Sequence, residues 1–133
     1  MDDTLRSCRE FTAVLASAAP TPGGGGAAAL TAAIGTALGG MVASLTTGKR
    51  AYASVENEIR QLLSMTTALQ EDLLDQVAAD AEGFLPLAAV YALPKGDPGR
   101  AARLLRASED ACAVPLRIME PVSYTHLRAH ETK

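Results

Sequence analysis

Two features of this 133-residue chain could do chemistry: the run Pro20-Thr21-Pro22-Gly23-Gly24-Gly25-Gly26, and a single carboxylate, Asp80, set into an apolar stripe. Two prolines give a stiff bend, four glycines give a backbone without side chains, and the residues that follow can open a helix whose first amides have no partners of their own. Such a terminus attracts anions or carboxylates. The loop is not a familiar nucleotide motif. The Walker pattern needs a glycine five residues before its Gly-Lys pair and a hydroxyl after it, yet Ala43 precedes Gly48-Lys49 and Arg50 follows. A dinucleotide fingerprint fails as well, because the third glycine is missing and no strand-like run precedes the loop. The same glycines could instead only let two backbones pass closely, and the pattern alone leaves both readings open.

Asp80 stands out by where it falls. Val55, Ile59, Leu62, Thr66, Leu69, Leu73, Val77, Phe84 and Ala88 recur at steps of three, four or seven, which is a helical packing seam. The position between Val77 and Phe84 is shared by Asp80 and Ala81, so the carboxylate points at or beside the buried face. There it must be hydrogen-bonded, paired with a cation, or kept protonated by desolvation, and the last case supplies a proton donor near neutral pH. The alternative is a rim carboxylate in water, or a structural partner for a helix terminus. Glu56 and Arg60, four apart, read as a solvated pair, and Glu71, Asp72 and Asp75 as an outward acidic face without chemistry.

The elements that must position these residues are helical. Asp3 or Thr4 can cap a short helix carrying Leu5, Cys8, Phe11 and Leu15 on one face, which Pro20 ends. The uncharged segment Ala27 to Leu45 has nearly the length of a membrane span and a GxxxG pair at Gly35 and Gly39. Its alanine, glycine, threonine and serine supply little transfer free energy, so it reads as a soluble helix buried on nearly all sides rather than a membrane hairpin. A third helix is expected from about Ser54 to Val90, with Pro86 kinking it or ending it early. Leu93-Pro94-Lys95-Gly96 is a firm break. Asp97 then caps a fourth helix with Pro98 in its first turn, carrying Leu104, Leu105, Ala111, Val114 and Ile118 and bent at Pro115.

Composition agrees with this all-α reading. Aromatic residues make up 4% and apolar residues 48%, so the core is built from alanine, leucine and valine, which suits close-packed helices in one domain. A net charge of −3 without a basic stripe argues against a nucleic-acid partner. Cys8 and Cys112 form no metal or redox spacing and no signal peptide is evident, which makes the cytoplasm the expected compartment.

The ordered motifs resemble the cyclodeaminase/cyclohydrolase family of folate metabolism, related to the C-terminal domain of formiminotransferase-cyclodeaminase. The matching pieces are Pro20-Thr21-Pro22-Gly23-Gly24-Gly25, Met41-Val42-Ala43-Ser44-Leu45-Thr46, Gly48-Lys49-Arg50-Ala51-Tyr52, Asp80-Ala81-Glu82-Gly83-Phe84, Ala92-Leu93-Pro94-Lys95 and Val114-Pro115-Leu116, in that order, between about Phe11 and Glu120. The resemblance implies an all-α antiparallel bundle of long helices working as a homodimer on a tetrahydrofolate derivative, with no metal and no nucleotide. Members either convert 5-formiminotetrahydrofolate to 5,10-methenyltetrahydrofolate with release of ammonia, or hydrolyse the methenyl compound. Both reactions pass through an amidine-like carbon between two folate nitrogens, which calls for a carboxylate to move a proton or stabilise positive charge. On this resemblance Asp80 is the candidate catalytic residue. Pro22, Gly23, Gly24, Gly25, Gly26, Lys49, Arg50 and Tyr52 are the candidate substrate-binding residues, with Lys49, Arg50 and the glycine loop facing the glutamate tail.

The chain departs from the family in two places. Gly26 stands where a small polar residue is common, which removes a possible helix cap. Beyond Glu120 the resemblance stops, so residues 1–120 read as a C-terminally truncated domain. Residues 121–133, with both histidines, His126 and His130, read as a non-native disordered tail rather than a metal pair. A truncated bundle would leave apolar stripes exposed and its activity in doubt. A catalytically silent folate-binding or helical interaction module is the competing reading.

Overall fold

The computed structural model describes residues 2–131, with side chains described as far as Glu120. Its architecture is all-α. A 3-10 turn at Asp3–Leu5 leads into α1 (Cys8–Leu15), α2 (Gly24–Thr46), a second 3-10 segment at Arg50–Val55, α3 (Glu56–Tyr91) and α4 (Arg100–Glu131).

Local chemistry explains most of the boundaries. The cap of α1 is Ser7 rather than Asp3 or Thr4: its hydroxyl accepts from the Glu10 amide while the Glu10 carboxylate accepts from the Ser7 amide, a complete capping box. Asp2 caps the preceding 3-10 turn. That split takes Leu5 and Cys8 off the buried face, so Leu5 is exposed and only Phe11 of α1 is buried. Helix α2 ends at Thr46, and the chain turns at Gly48, whose φ of +75° favours a residue without a Cβ. Pro86 does not end α3, which runs on to Tyr91. Asp97 accepts from the Gly99 amide and pairs with Arg103, so it caps a turn and α4 begins two residues later than Pro98. The backbone of α4 continues past Pro115 and Pro121 to Glu131. The side chains from residue 121 onward, those of His126 and His130 among them, lie outside the described residues.

Helices α2 and α3 are antiparallel. Gly26 faces Val77 and Asp80, while Gly39 and Gly40, near the other end, face Thr66. Helix α4 returns along α3 in the same manner, with Gly83 against Val114 and Ala107 packed with Leu87 and Val90. The main core joins one residue from each helix: Phe11, Ala29, Val77 and Ile118. A second cluster of Leu87, Val90 and Ala107 lies along the α3–α4 pair.

Burial is uneven along the long helices. Leu73 and Val77 of the expected seam are fully buried, whereas Val55 and Leu62, nearer the start of α3, are exposed. Leu105 of α4 is exposed and Ala107 takes its place in the core. The largest correction concerns α2. It is buried only at Gly26, Ala29, Ala33 and Ala43, not on nearly all sides, and Ile34, Leu38, Met41, Val42 and Leu45 are exposed. Within this chain α2 packs mainly against α3, and one neighbour covers only one stripe of a helix.

Candidate functional site

The four glycines and Asp80 meet. Gly23 is the N-cap of α2, with extended backbone and no side chain to offer, and the first intrahelical bond runs from the Ala27 amide to the Gly23 carbonyl. The amides of Gly24, Gly25 and Gly26 are therefore left without helical partners. Asp80 lies 54 residues further on, and its Oδ2 accepts from the Gly26 amide at 2.7 Å. A carboxylate is the group that a helix N-terminus holds best, since the free amide and the helix dipole both favour negative charge. The cap that a serine beside the loop would have provided locally comes instead from the middle of α3.

The surroundings make this contact specific. Val77, one turn before Asp80, is fully buried against Ala29 and Phe11, and Gly26 is itself buried. Asp80 is half-buried, and its Oδ1 makes no hydrogen bond among the described residues. Pro22 is buried behind the loop, and the Thr21-Pro22 peptide is cis. Beside the loop, an open apolar cleft of about 520 Å³ is lined by Ala27, Ala28, Thr31, Ala32, Ile118 and Met119.

Lys49, Arg50 and Tyr52 fall elsewhere. All three are exposed, in the segment after the far end of α2. Twenty residues of helix separate Gly26 from Thr46, which is about 30 Å at 1.5 Å per residue. One chain therefore does not bring these cations to Asp80. A second cleft at that end, about 540 Å³, is lined by Thr47, Arg60, Leu63, Ser64, Thr67 and Ala68. Glu56 organises the turn: its Oε2 accepts from the Gly48 amide at 3.0 Å and its Oε1 pairs with Arg60. The Gly48 hydrogen bond, with help from Arg60, holds its carboxyl below the usual value.

Two buried polar residues escaped the sequence. Asp3 is buried and pairs with Arg6 Nε at 2.6 Å, and Gln76 is 4% exposed, donating to Asp72 Oδ2 while its own Oε1 has no partner among the described residues. Gln76 sits one residue before Val77 in the seam, a signal of the same kind as the one that marked Asp80. Asp72 is thereby drawn into a structural hydrogen bond. Among the described residues no group of three or more His, Cys, Asp or Glu side chains could hold a metal ion.

An all-α chain in which a glycine loop opens one helix and an aspartate from the next caps it is a narrow class. The sequence comparisons place it further. The chain belongs to the formiminotransferase-cyclodeaminase family, whose model matches residues 7–131. It is 44% identical over 106 residues to the methenyltetrahydrofolate cyclohydrolase of Methylorubrum extorquens, a match covering 77% of this chain and 51% of that protein. It is 36% identical to the mouse formimidoyltransferase-cyclodeaminase and 35% to that of Dictyostelium discoideum, over 88% and 86% of this chain but only 22% and 21% of theirs. The chain thus spans about half the length of the cyclohydrolase and about a fifth of the bifunctional relatives.

Proposed function

We propose that the intact protein is an enzyme of folate one-carbon metabolism, either a 5-formiminotetrahydrofolate cyclodeaminase or a methenyltetrahydrofolate cyclohydrolase, with Asp80 as the catalytic carboxylate. The single observation that carries the reading is the placement of Asp80: one oxygen is committed to the Gly26 amide and the other makes no hydrogen bond among the described residues. A carboxylate held in that way is pre-set to exchange a proton with a bound group. In the deaminase reaction the second folate nitrogen attacks the formimino carbon, a proton passes to the departing nitrogen, and ammonia leaves. In the hydrolase reaction water adds to the methenyl carbon, its proton is taken up, and the bond to one ring nitrogen breaks. Asp80 serves as the proton carrier in either case.

The apolar cleft beside the loop suits the flat ring end of a folate, and Lys49 and Arg50 suit its anionic glutamate tail. Because these groups lie at opposite ends of α2, the reading includes a homodimer. The exposed Ile34, Leu38, Met41, Val42 and Leu45 support it, since such a face calls for cover. By length and composition α2 could also cross a membrane, with a mean hydropathy of 1.6. Its neighbour α3 carries Glu58, Arg60, Glu71, Asp72 and Asp75 alongside it, however, and those charges would be costly in a bilayer. The reading is accordingly a soluble cytoplasmic enzyme without metal, nucleotide or nucleic-acid partner.

The test is to follow methenyltetrahydrofolate by its near-ultraviolet absorbance with the intact protein. Ammonia and methenyl compound formed from formiminotetrahydrofolate identify the deaminase, and accelerated loss of the methenyl compound alone identifies the hydrolase. A folded, folate-binding protein that does neither is the non-catalytic module instead. Asp80→Asn should lower turnover about 100-fold or more with the fold retained, and unchanged turnover would remove Asp80 from the proton-transfer role. Lys49→Ala should weaken a polyglutamylated folate more than the monoglutamate. Equal loss for both would mark Lys49 as structural.

A further inference from the structure

The four loop glycines are not equivalent. A Cβ placed on Gly24 meets nothing within 4 Å, one on Gly23 would stand 3.9 Å from Asp80 Oδ2, and one on Gly26 would stand 3.6 Å from the Val77 carbonyl oxygen, all ordinary distances. A Cβ on Gly25 would fall well inside contact distance of Asp80 Oδ1, 2.5 Å from Cγ and 2.8 Å from Oδ2. The whole carboxylate thus occupies the space that any other residue at position 25 would fill.

We propose that Gly25 is a positioning residue for Asp80: its missing side chain is what allows the carboxylate to seat against the loop with Oδ2 on the Gly26 amide and Oδ1 left for a substrate proton. This inference rests on the catalytic reading of Asp80 and gives Gly25 a role distinct from contact with the substrate. The backbone on both sides is fixed. Asp80 follows the fully buried Val77 in the middle of α3, and Gly25 precedes the buried Gly26 in the first turn of α2. Relief from an added Cβ therefore falls on the two side-chain torsions of Asp80, which swing the carboxylate off the Gly26 amide. An alanine at position 25 leaves the helices in place and displaces the one group the chemistry needs.

The intact protein with Gly25→Ala tests this by two readouts that a merely structural role would not move together. The first is the change that Asp80→Ala makes in the Gly26 amide proton shift: it should be large in the wild-type and Gly24→Ala backgrounds and small in the Gly25→Ala background, where the hydrogen bond is already lost. The second is a double-mutant cycle on turnover. Gly25→Ala should lower kcat about 100-fold, the scale of a small misplacement of a catalytic group, with KM changed less than about twofold. In the Asp80→Ala background it should cost less than about twofold, because the group it acts through is gone.

A Gly26 amide proton shift that Asp80→Ala changes as much in a folded Gly25→Ala protein as in the wild type would overturn the proposal. So would an equal loss of turnover in both backgrounds, which would mean that Gly25 acts on the substrate directly. Full turnover of Asp80→Ala would sink the catalytic reading, while the Gly26 resonance would still decide whether Gly25 seats the carboxylate.

Discussion

The two ends of α2 differ in what surrounds them. At the Gly26 end all four helices contribute to one core, with Phe11, Ala29, Val77 and Ile118 in mutual contact, and Asp80 is held against the loop above it. Among the described residues at the Thr46 end, α3 is the helix alongside, Ala43 is the sole buried residue of the last three turns of α2, and Met41, Val42 and Leu45 are at least half exposed. The same helix thus joins a shared core at one end and leaves an apolar face open at the other. The difference follows from neighbours and from composition, since the large apolar residues Leu38, Met41, Val42 and Leu45 gather at the end with fewer neighbours. The enclosed end holds the Asp80 carboxylate, and the exposed Lys49 and Arg50 follow the open end.

The sharpest way to break that comparison is to remove one apolar side chain from each end. Phe11→Ala empties a site that four helices share, and it should cost about 3 kcal/mol or more of folding stability. Leu38→Ala, at a residue 56% exposed, should change the stability of the single chain by less than about 0.5 kcal/mol. Chemical denaturation of both variants at low protein concentration checks the pair. Equal losses would mean that the open face of α2 is already covered within one chain.

Association gives the next effect in size. If the open face is an interface, Leu38→Lys should move the protein toward monomer in sedimentation while leaving its helix content unchanged. Phe11→Ala should lower stability without changing the oligomeric state of the folded fraction. A protein whose sedimentation is the same with leucine or lysine at position 38 does not use this face to pair.

How much of this was legible in the sequence also divides by end. The all-helical class, the α3 seam around Leu73 and Val77, and the prominence of both Asp80 and the glycine loop were readable, because periodicity and backbone chemistry are local. That Asp80 caps the loop was not, since a hydrogen bond across 54 residues leaves no spacing to read. Exposure of α2 was misread for a related reason: small apolar residues say that something packs closely, not whether it belongs to the same chain. Of the two outcomes expected at Pro86, an early end does not occur: neighbouring Leu87 and Val90 anchor the last turns of α3 against Ala107. The cap of α1 was missed because three candidate caps, Asp3, Thr4 and Ser7, lie within five residues, and only Ser7 has a glutamate three positions on.

That capping box makes a smaller prediction at the enclosed end. Ser7→Ala leaves the Glu10 amide without its acceptor and the Glu10 carboxylate with only the residue-7 amide, and the usual cost of losing such a cap is about 1 kcal/mol. The loss should loosen α1 and with it Phe11, so hydrogen exchange should quicken at Phe11 and the residues after it before it does in α3. Uniform quickening throughout the chain would mean that α1 does not open separately.

The smallest effect belongs to the open end, where Glu56 ties the Gly48 amide to Arg60 across the turn between α2 and α3. Its carboxyl is held below the ordinary value of 4.5, chiefly by the Gly48 hydrogen bond. A carboxyl lowered on folding contributes stability that is present above its unfolded value and is lost as the pH falls through the folded one. Wild type should therefore melt slightly above Glu56→Ala at neutral pH, and the gap should close as the pH drops below 4.5. Glu10 and Asp97 are also held low, by Ser7 and Arg103, so both proteins lose stability in acid and only the difference between them isolates Glu56. Because the Arg60 side chain is in solvent, added salt should shrink the Arg60 part of the gap and leave the Gly48 part. A gap that vanished entirely in salt would assign the turn to the ion pair. A gap insensitive to salt would leave the turn to the Gly48 amide, so that the open end, like the enclosed one, is held by a carboxylate on a backbone N–H.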